Sequence, residues 1–259
     1  MPRKVALITG ASAGLGEQFA QCFAQGGHDV ILVARTASRL EALAARLEQA
    51  HGGKVHVLPA DLARPEAPAR IFEEVRARGL EVEYLVNNAG FGSSGPFLEQ
   101  AVEREAEMVE VNCTALLKLT HLFAQPMRAR RSGRILNIAS TAGFQPGPYM
   151  ATYYATKAFV VSFSEALAHE LRGTGVTVTC HCPGATHTEF ASRASIEKTR
   201  LFQRPGVAAA PDVAADAYAA MMKGRVLAVH GLVNWLGTVG VRFGPRALVR
   251  SIAASLNKA

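Results

Sequence analysis

The chain has 259 residues, 49% hydrophobic and 19% charged, with a formal net charge of +7; it is long enough to bury a full core and short enough to be one domain, 1–259. Its four cysteines (Cys22, Cys113, Cys180, Cys182) belong to no small secreted framework, which argues for a reducing, cytoplasmic setting, and the apolar stretch after Met1-Pro2-Arg3-Lys4 is too short for a signal-peptide core. No run reaches the roughly 18 uninterrupted apolar residues of a membrane span, and the scattered basic residues carry no zinc-ligand spacing, aromatic RNA motif or basic helix that would support nucleic acid.

In chain order, six short apolar, β-branched runs read as strands: Val5 to Thr9, Val30 to Val33, Val55 to Leu58, Tyr84 to Asn87, Ile135 to Ala139 and Val176 to Cys180. Strands buried on both faces are apolar throughout rather than alternating. Helical stretches separate them, as with Leu40, Leu43 and Leu47, so each step reads as a right-handed crossover. The expected fold is α/β: a single doubly wound Rossmann domain, with a mostly parallel seven-stranded sheet flanked by helices on both faces.

After the first strand comes Thr9-Gly10-Ala11-Ser12-Ala13-Gly14-Leu15-Gly16, with a helix beginning near Leu15. Glycines let the backbone turn tightly and approach a pyrophosphate, and the helix start attracts its charge. The second strand ends in Ala34-Arg35, with Thr36 and Arg39 close behind; Asp61 follows the third strand and Asn87-Asn88-Ala89-Gly90 the fourth. A long helix from near Leu98 is expected to carry Asn112, where an asparagine costs helix propensity. The dense run Arg128, Arg130, Arg131 and Arg134 reads as a solvated loop between a helix and a strand, or as a docking patch for an anionic substrate or carrier. Ser140 closes the fifth strand; Tyr153 and Lys157 share one face of a helix that runs through Leu171, whereas Tyr154 is turned about 100° away and Tyr149 precedes the helix beside Pro148. Cys180-His181-Cys182 lacks a second ligand pair at zinc spacing and reads as buried strand-end cysteines, so no metal is expected. The polar, basic stretch from about 186 to 210, with Arg193, Lys198, Arg200 and Arg204, suits a flap, and a helix restarts at Pro211-Asp212.

The glycine turn, Asn87-Asn88-Ala89-Gly90, Ser140 and Tyr153-Tyr154-Ala155-Thr156-Lys157 together resemble the short-chain dehydrogenase/reductase family over essentially the whole chain, and within it the NADPH-dependent ketoacyl and ketosteroid reductases. The resemblance implies an oxidoreductase that moves a hydride between a nicotinamide and a carbonyl or alcohol carbon, with Tyr153 exchanging the proton, Ser140 donating to the substrate oxygen, Lys157 holding the ribose and Asn112 holding a water. It implies a cofactor site of Gly10, Ser12, Ala13, Gly14, Leu15, Gly16, Arg35, Asp61, Leu62, Asn88, Ala89, Gly90, Tyr153 and Lys157. Pro183, Gly184, Thr186 and Thr188 complete it as the clamp on the carboxamide. Asp61 resembles the acid at the adenine ring and Asn87 the brace of the central strand.

NAD-specific folds end the second strand in an acid for the ribose. The arginine here suits a phosphate instead, so NADPH/NADP+ is expected over NADH. A free phenol titrates near ~10; a neighbouring ammonium and the positive nicotinamide ring favour its phenolate. For the substrate, Phe91, Phe144, Tyr149, Phe190 and Phe202 sit on loops expected around the cleft and favour an apolar or acyl-chain ketone, while the basic flap suits a phosphopantetheine or coenzyme A ester. The apolar tail, about 229–259, reads as a cover for the cleft or a subunit contact, with weak peripheral membrane association as the alternative. A homodimer or homotetramer is implied. Two rival functions are a catalytically silent NADP(H)-binding sensor and an extended-type epimerase or dehydratase.

Overall fold

The structure, a computed structural model, describes residues 3–194, 196–197, 199–200, 202–203 and 206–258. Lys198 and Arg204 of the expected flap, and the extreme termini of the expected domain, lie outside the described residues.

Seven strands form the main sheet: β1 (Val5–Thr9), β2 (Asp29–Ala34), β3 (Val55–Pro59), β4 (Val82–Asn87), β5 (Gly133–Ile138), β6 (Val176–Cys182) and, past the two-residue pair β7 (Thr186–His187) and β8 (Ala208–Ala209), β9 (Leu227–Val229). They lie in the order β3-β2-β1-β4-β5-β6-β9, and every pairing is parallel. Six strands are legible in the sequence. The seventh, β9, is three residues long, too short to show a period.

Between the strands run α1 (Gly14–Gln25), α2 (Ala37–His51), α3 (Ala67–Ala77), α4 (Val102–Val109), α5 (Leu116–Ala129), α6 (Ala151–Glu170), α7 (Glu189–Arg193), α8 (Ala210–Met222), α9 (Leu232–Phe243) and α10 (Arg246–Asn257). Strand alternation divides β1 between two cores. Ala6 and Ile8 pack with Phe19 and Phe23 of α1, Leu40 and Leu47 of α2, and Met221 of α8. Val5 and Leu7 face the other way, onto Ile71 of α3 and Leu119, Phe123 and Met127 of α5. Burying each large side chain of this kind contributes about 1.5–3 kcal/mol, so both layers are needed. Strand order reverses between β1 and β4, and the carboxyl ends of those strands open a crevice, the place where doubly wound sheets bind ligands.

Two local expectations change. No continuous helix runs from Leu98: Phe97–Glu99 is a single 3₁₀ turn, α4 starts at Val102, and Glu110–Ala115 is π-helical before α5 begins. The extra residue in that wide turn is accommodated where Asn112 must reach a neighbouring backbone, and π-bulges mark such sites. In the Arg128–Arg134 run, Arg128 and Arg131 are exposed as expected, whereas Arg130 and Arg134 are half-buried. Arg130 pairs with Glu81 and Glu83 and donates to the Val82 carbonyl. Arg131 donates to the Gly173 carbonyl and Arg134 to that of Met221, so these side chains tie together the segments at the amino ends of β4, β5 and β6 and the end of α8.

Candidate active site

The glycine turn after β1 is fixed by close approach. Gly10 and Gly14 have φ of 67° and 58°, the left-handed region that suits glycine. A Cβ on Gly16 would lie 2.1 Å from the Gly10 carbonyl oxygen, and one on Gly10 would lie 2.9 Å from Ala89 Cα. The turn is tied to the end of β4 by Thr9, a residue the sequence reading passed over. Its hydroxyl accepts from the Asn88 and Ala89 amides, both at 3.0 Å, and donates to the Val86 carbonyl at 3.2 Å. The signal was available: Thr9 is the polar last position of an otherwise apolar strand. Asn88 Nδ2 completes the tie by donating to the Thr9 carbonyl at 2.9 Å. Helix α1 then begins at Gly14 with no side chain capping it, so its first amides face the crevice with the positive end of the helix behind them, a site suited to a phosphate.

The crevice is a cavity of about 610 Å³, within the usual range for cofactor and ligand sites. Of the expected cofactor residues, Gly10, Ser12, Ala13, Gly14, Leu15, Arg35, Asp61, Leu62, Asn88, Ala89, Gly90, Tyr153, Lys157, Pro183, Thr186 and Thr188 all line it. Gly16 lies beneath the turn as its packing floor. Gly184 is not among the residues lining the cavity, and a Cβ there would meet Asn234 Nδ2 at 2.5 Å, so its missing side chain makes room for α9. Asp61 holds the Ala63 amide at 3.2 Å and keeps its place on the wall. Thr188 caps α7 and packs over Gly14.

Charged side chains line the mouth of the cavity, Arg35, Arg104, Glu107 and Glu189 among them. Arg35 is well exposed and 4.0 Å from Glu107, while Arg39 holds Glu189 at 3.0 Å. Glu107 and Glu189 line the cavity and were not picked out in the sequence, because acids on separate helices give no local pattern. Exposed pairs of this kind are weak, so an incoming phosphate can compete for Arg35.

Tyr153 and Lys157 meet on α6 as their four-residue spacing requires. Both are buried, and the ammonium lies 5.7 Å from the centre of the tyrosine ring. Lys157 Nζ donates to the Ile138 carbonyl at 2.9 Å. Burial lowers its pKa to about 8, with the thiols of Cys113, Cys180 and Cys182 opposing. Burial also raises the Tyr153 phenol above its ordinary value, and a hydrogen bond with Ser140 opposes that rise. At neutral pH the phenol, its pKa raised by burial, keeps its proton and is a donor, beside a lysine that is still charged. Ser140 stands at the end of β5, accepting from the Ala142 amide at 3.1 Å, with the Pro183 carbonyl 3.4 Å from its hydroxyl.

A stability prediction follows from the lysine. Because its folded pKa lies below the ordinary 10.5, the unfolded chain binds the proton more tightly. Folding stability therefore rises with pH between about 8 and 10.5, and the full cost of burying the charge is present below that window. Lys157→Met is expected to raise the free energy of unfolding at pH 7 by an amount on the order of 1–3 kcal/mol, shrinking toward pH 10.5, as urea titrations at both pH values would record.

Asn112 does not line the cavity. Its carboxamide is spent on structure: Oδ1 accepts from the Phe91 amide at 3.1 Å, and Nδ2 donates to the Phe91 carbonyl and to Thr156 Oγ1, both at 3.0 Å. It locks the loop after β4 to α6 next to Gly90, whose Cβ would lie 2.9 Å from Asn112 Oδ1. Asn87 behaves as the expected brace, donating at 2.9 Å to both Thr120 and Asn137.

The expected substrate residues divide. Phe91 and Phe190 line the cavity and, with Phe202, pack around a cluster that includes Met108, Met150 and Tyr153. Phe144 packs on the other side, against the cluster of Leu116, Val160, Cys180 and Cys182, because the turn after Ser140 points it toward β6. Tyr149, with φ of 67°, turns away from the cavity; its ring lies 5.3 Å from Lys258 Nζ. Tyr154 donates to Asn257 at 3.0 Å, and Asn257 donates to the Pro148 carbonyl, so the tail is docked beside the start of α6.

Alternation along β6 separates the Cys-His-Cys run. Cys180 and Cys182 are buried together, whereas His181 meets Asp216 at 3.0 Å and, through that carboxylate, His230 at 3.2 Å. Among the described residues this is the one group whose ligand atoms lie close enough, within 4.8 Å, to hold a metal. In this structure each of the two imidazoles is hydrogen-bonded to the carboxylate.

Comparison with known proteins identifies the family of the chain. The family profile described as short chain dehydrogenase matches residues 4–199. A very-long-chain 3-oxoacyl-CoA reductase of Phaeosphaeria nodorum is 40% identical over 68% of this chain and 52% of its own length; the chain thus spans about half of that relative. Among solved structures, a short-chain dehydrogenase from Sphingobium yanoikuyae in complex with NADPH is 36% identical, with a TM-score of 0.83 over 95% of this chain and 96% of that one. A bulky-bulky ketone specific alcohol dehydrogenase from Comamonas testosteroni is 31% identical, with a TM-score of 0.80 over 96% of each chain.

Proposed function

Since this chain belongs to the short-chain dehydrogenase family, we propose that it is an NADPH-dependent reductase of apolar or acyl-chain ketones, running in reverse on the corresponding alcohols. The observation that carries the reading is that the glycine cradle, Arg35 and the Tyr153–Lys157 pair all face one cavity. The cradle residues fit a dinucleotide because a side chain at Gly10 or Gly16 would occupy the backbone's own space, leaving bare amides at the start of α1. Arg35 takes the extra phosphate, and Asp61 and Leu62 border the adenosine end. When bound, the reduced nicotinamide supplies two electrons as hydride to the carbonyl carbon.

The chain's own groups do the rest. Tyr153, protonated at neutral pH, gives its phenolic proton to the carbonyl oxygen as charge develops there, and Ser140 donates a hydrogen bond to the same oxygen. Lys157 remains cationic up to a pKa of about 8 and steadies the phenolate left behind. Phe91, Phe190, Met108 and Met150 around Tyr153 exclude water and favour an apolar chain beside the carbonyl. The 3-oxoacyl-CoA and bulky-ketone relatives support this substrate class. Assembly as a homodimer or homotetramer is part of the proposal.

The test is NADPH oxidation against a panel of 3-oxoacyl thioesters, bulky aryl ketones, steroids and small aldehydes. Turnover concentrated on the first three classes is expected; no consumption with any ketone would overturn the reductase reading and leave the cofactor-binding sensor or the epimerase or dehydratase. In the same assay Arg35→Asp should invert cofactor choice, costing tenfold or more in kcat/KM for NADPH (about 1.4 kcal/mol) while sparing NADH. An unchanged ratio would remove Arg35 from the phosphate site.

A further inference from the structure

Helix α9 is built inside out. Its inward side carries Asn234, whose amide donates to the His230 carbonyl at 2.7 Å, and Thr238, which is buried and donates to the Trp235 carbonyl at 2.8 Å. Its outward side carries Leu232, Trp235, Leu236 and Phe243, which at 100° per residue fall on one stripe flanked by Val233. Leu232, Val233 and Phe243 are 71%, 83% and 85% exposed, and Leu248 and Ile252 of α10 are also exposed. An ordinary surface helix turns its apolar face to the core, and contiguous exposed apolar surface of this kind marks a docking site. The charges that α9 and α10 themselves carry are of one sign. Past Asp216 the sequence contains no Asp or Glu, and Arg242, Arg246, Arg250 and Lys258 are all exposed on α9, α10 and the residue after them.

We propose that the α9–α10 face docks on an anionic lipid surface. Apolar side chains with a tryptophan, bordered by arginines and free of acids, match the acyl boundary and the negative headgroups of such a surface together. A second copy of this chain is the poorer occupant, because a twofold contact sets the same patch against itself and brings arginines to arginines with no carboxylate to receive them. No helix among the described residues is long and apolar enough to cross a membrane, so the contact is with the surface. The inference stands apart from the reductase reading and does not depend on it.

Trp235 is the chain's one tryptophan, and it lies on the proposed face, so its emission reports docking directly. The full chain is mixed with vesicles of phosphatidylcholine alone or with one-third phosphatidylglycerol, and both sedimentation and Trp235 emission are followed. Expected is a blue shift and at least about tenfold stronger partitioning to the anionic vesicles, weakened by 0.5 M salt. Leu236→Glu with Phe243→Glu, both at exposed positions, should abolish the shift and the sedimentation while the circular dichroism spectrum is unchanged. Arg242→Gln with Arg246→Gln should lower partitioning about tenfold or more and leave the helices intact. The proposal is overturned if anionic vesicles produce no shift, if neutral vesicles bind as well, or if neither double variant weakens binding. It is equally overturned if light scattering shows a dimer that Leu236→Glu with Phe243→Glu splits while lipid binding is absent.

Discussion

Tyr153→Phe is expected to cut turnover with a ketone by about 10³-fold, within the range for loss of a positioned general acid, while changing the NADPH dissociation constant less than threefold. The phenol is buried against Phe190, Met108 and Met150, and phenylalanine keeps that packing, so the fold should be preserved. Only the hydroxyl and its bond with Ser140 are lost. Stopped-flow NADPH oxidation with a saturating ketone, set beside a fluorescence titration of cofactor binding, separates the two quantities. Turnover within tenfold of the wild type would mean that another group supplies the proton, and Ser140 would be the first to test.

Gly16→Ala should abolish catalysis by a different route. Its Cβ would sit 2.1 Å from the Gly10 oxygen and 2.8 Å from Asn88 Nδ2, neighbours that are backbone and a hydrogen-bonded amide rather than the free end of a side chain. The turn must open by about an ångström, which separates the Gly10 segment from the Thr9–Asn88–Ala89 tie and misplaces the amides at the start of α1. Overpacking of this kind costs about 1–3 kcal/mol in stability, and the NADPH dissociation constant should rise at least ~100-fold, or about 2.7 kcal/mol. Gly237→Ala is the control: nothing lies within 4 Å of a Cβ there, so cofactor binding should not change. Isothermal titration of both variants with NADPH makes the comparison, and equal affinities would remove the glycine turn from the cofactor site.

The sheet, the glycine turn and the Tyr153–Lys157 face were legible because each is a local pattern. An apolar run between turns is a buried strand, glycines between a strand and a helix are a close backbone approach, and a four-residue interval on a helix is a shared face. Features that depend on which distant elements meet were not legible. Thr9 is one strand-end hydroxyl until β4 brings the Asn88 and Ala89 amides onto it. Phe144 and Phe190 have the same composition signal, yet one packs toward β6 and the other into the cavity. Arg130 and its neighbours read as a solvated run until the amino ends of the central strands and α8 supply Glu81, Glu83 and three carbonyls.

By itself, then, the sequence determined the doubly wound fold class, the place of the glycine turn and the helix face that Tyr153 and Lys157 share, since each is encoded within a few consecutive residues by periodicity and backbone sterics. Tertiary structure alone decided the direction in which the pKa values of that pair shift, because desolvation depends on everything packed around Tyr153 and Lys157. It also decided which aromatic residues face the cavity and that α9 presents its apolar side outward, because a helix pattern fixes which residues share a face but not what that face meets.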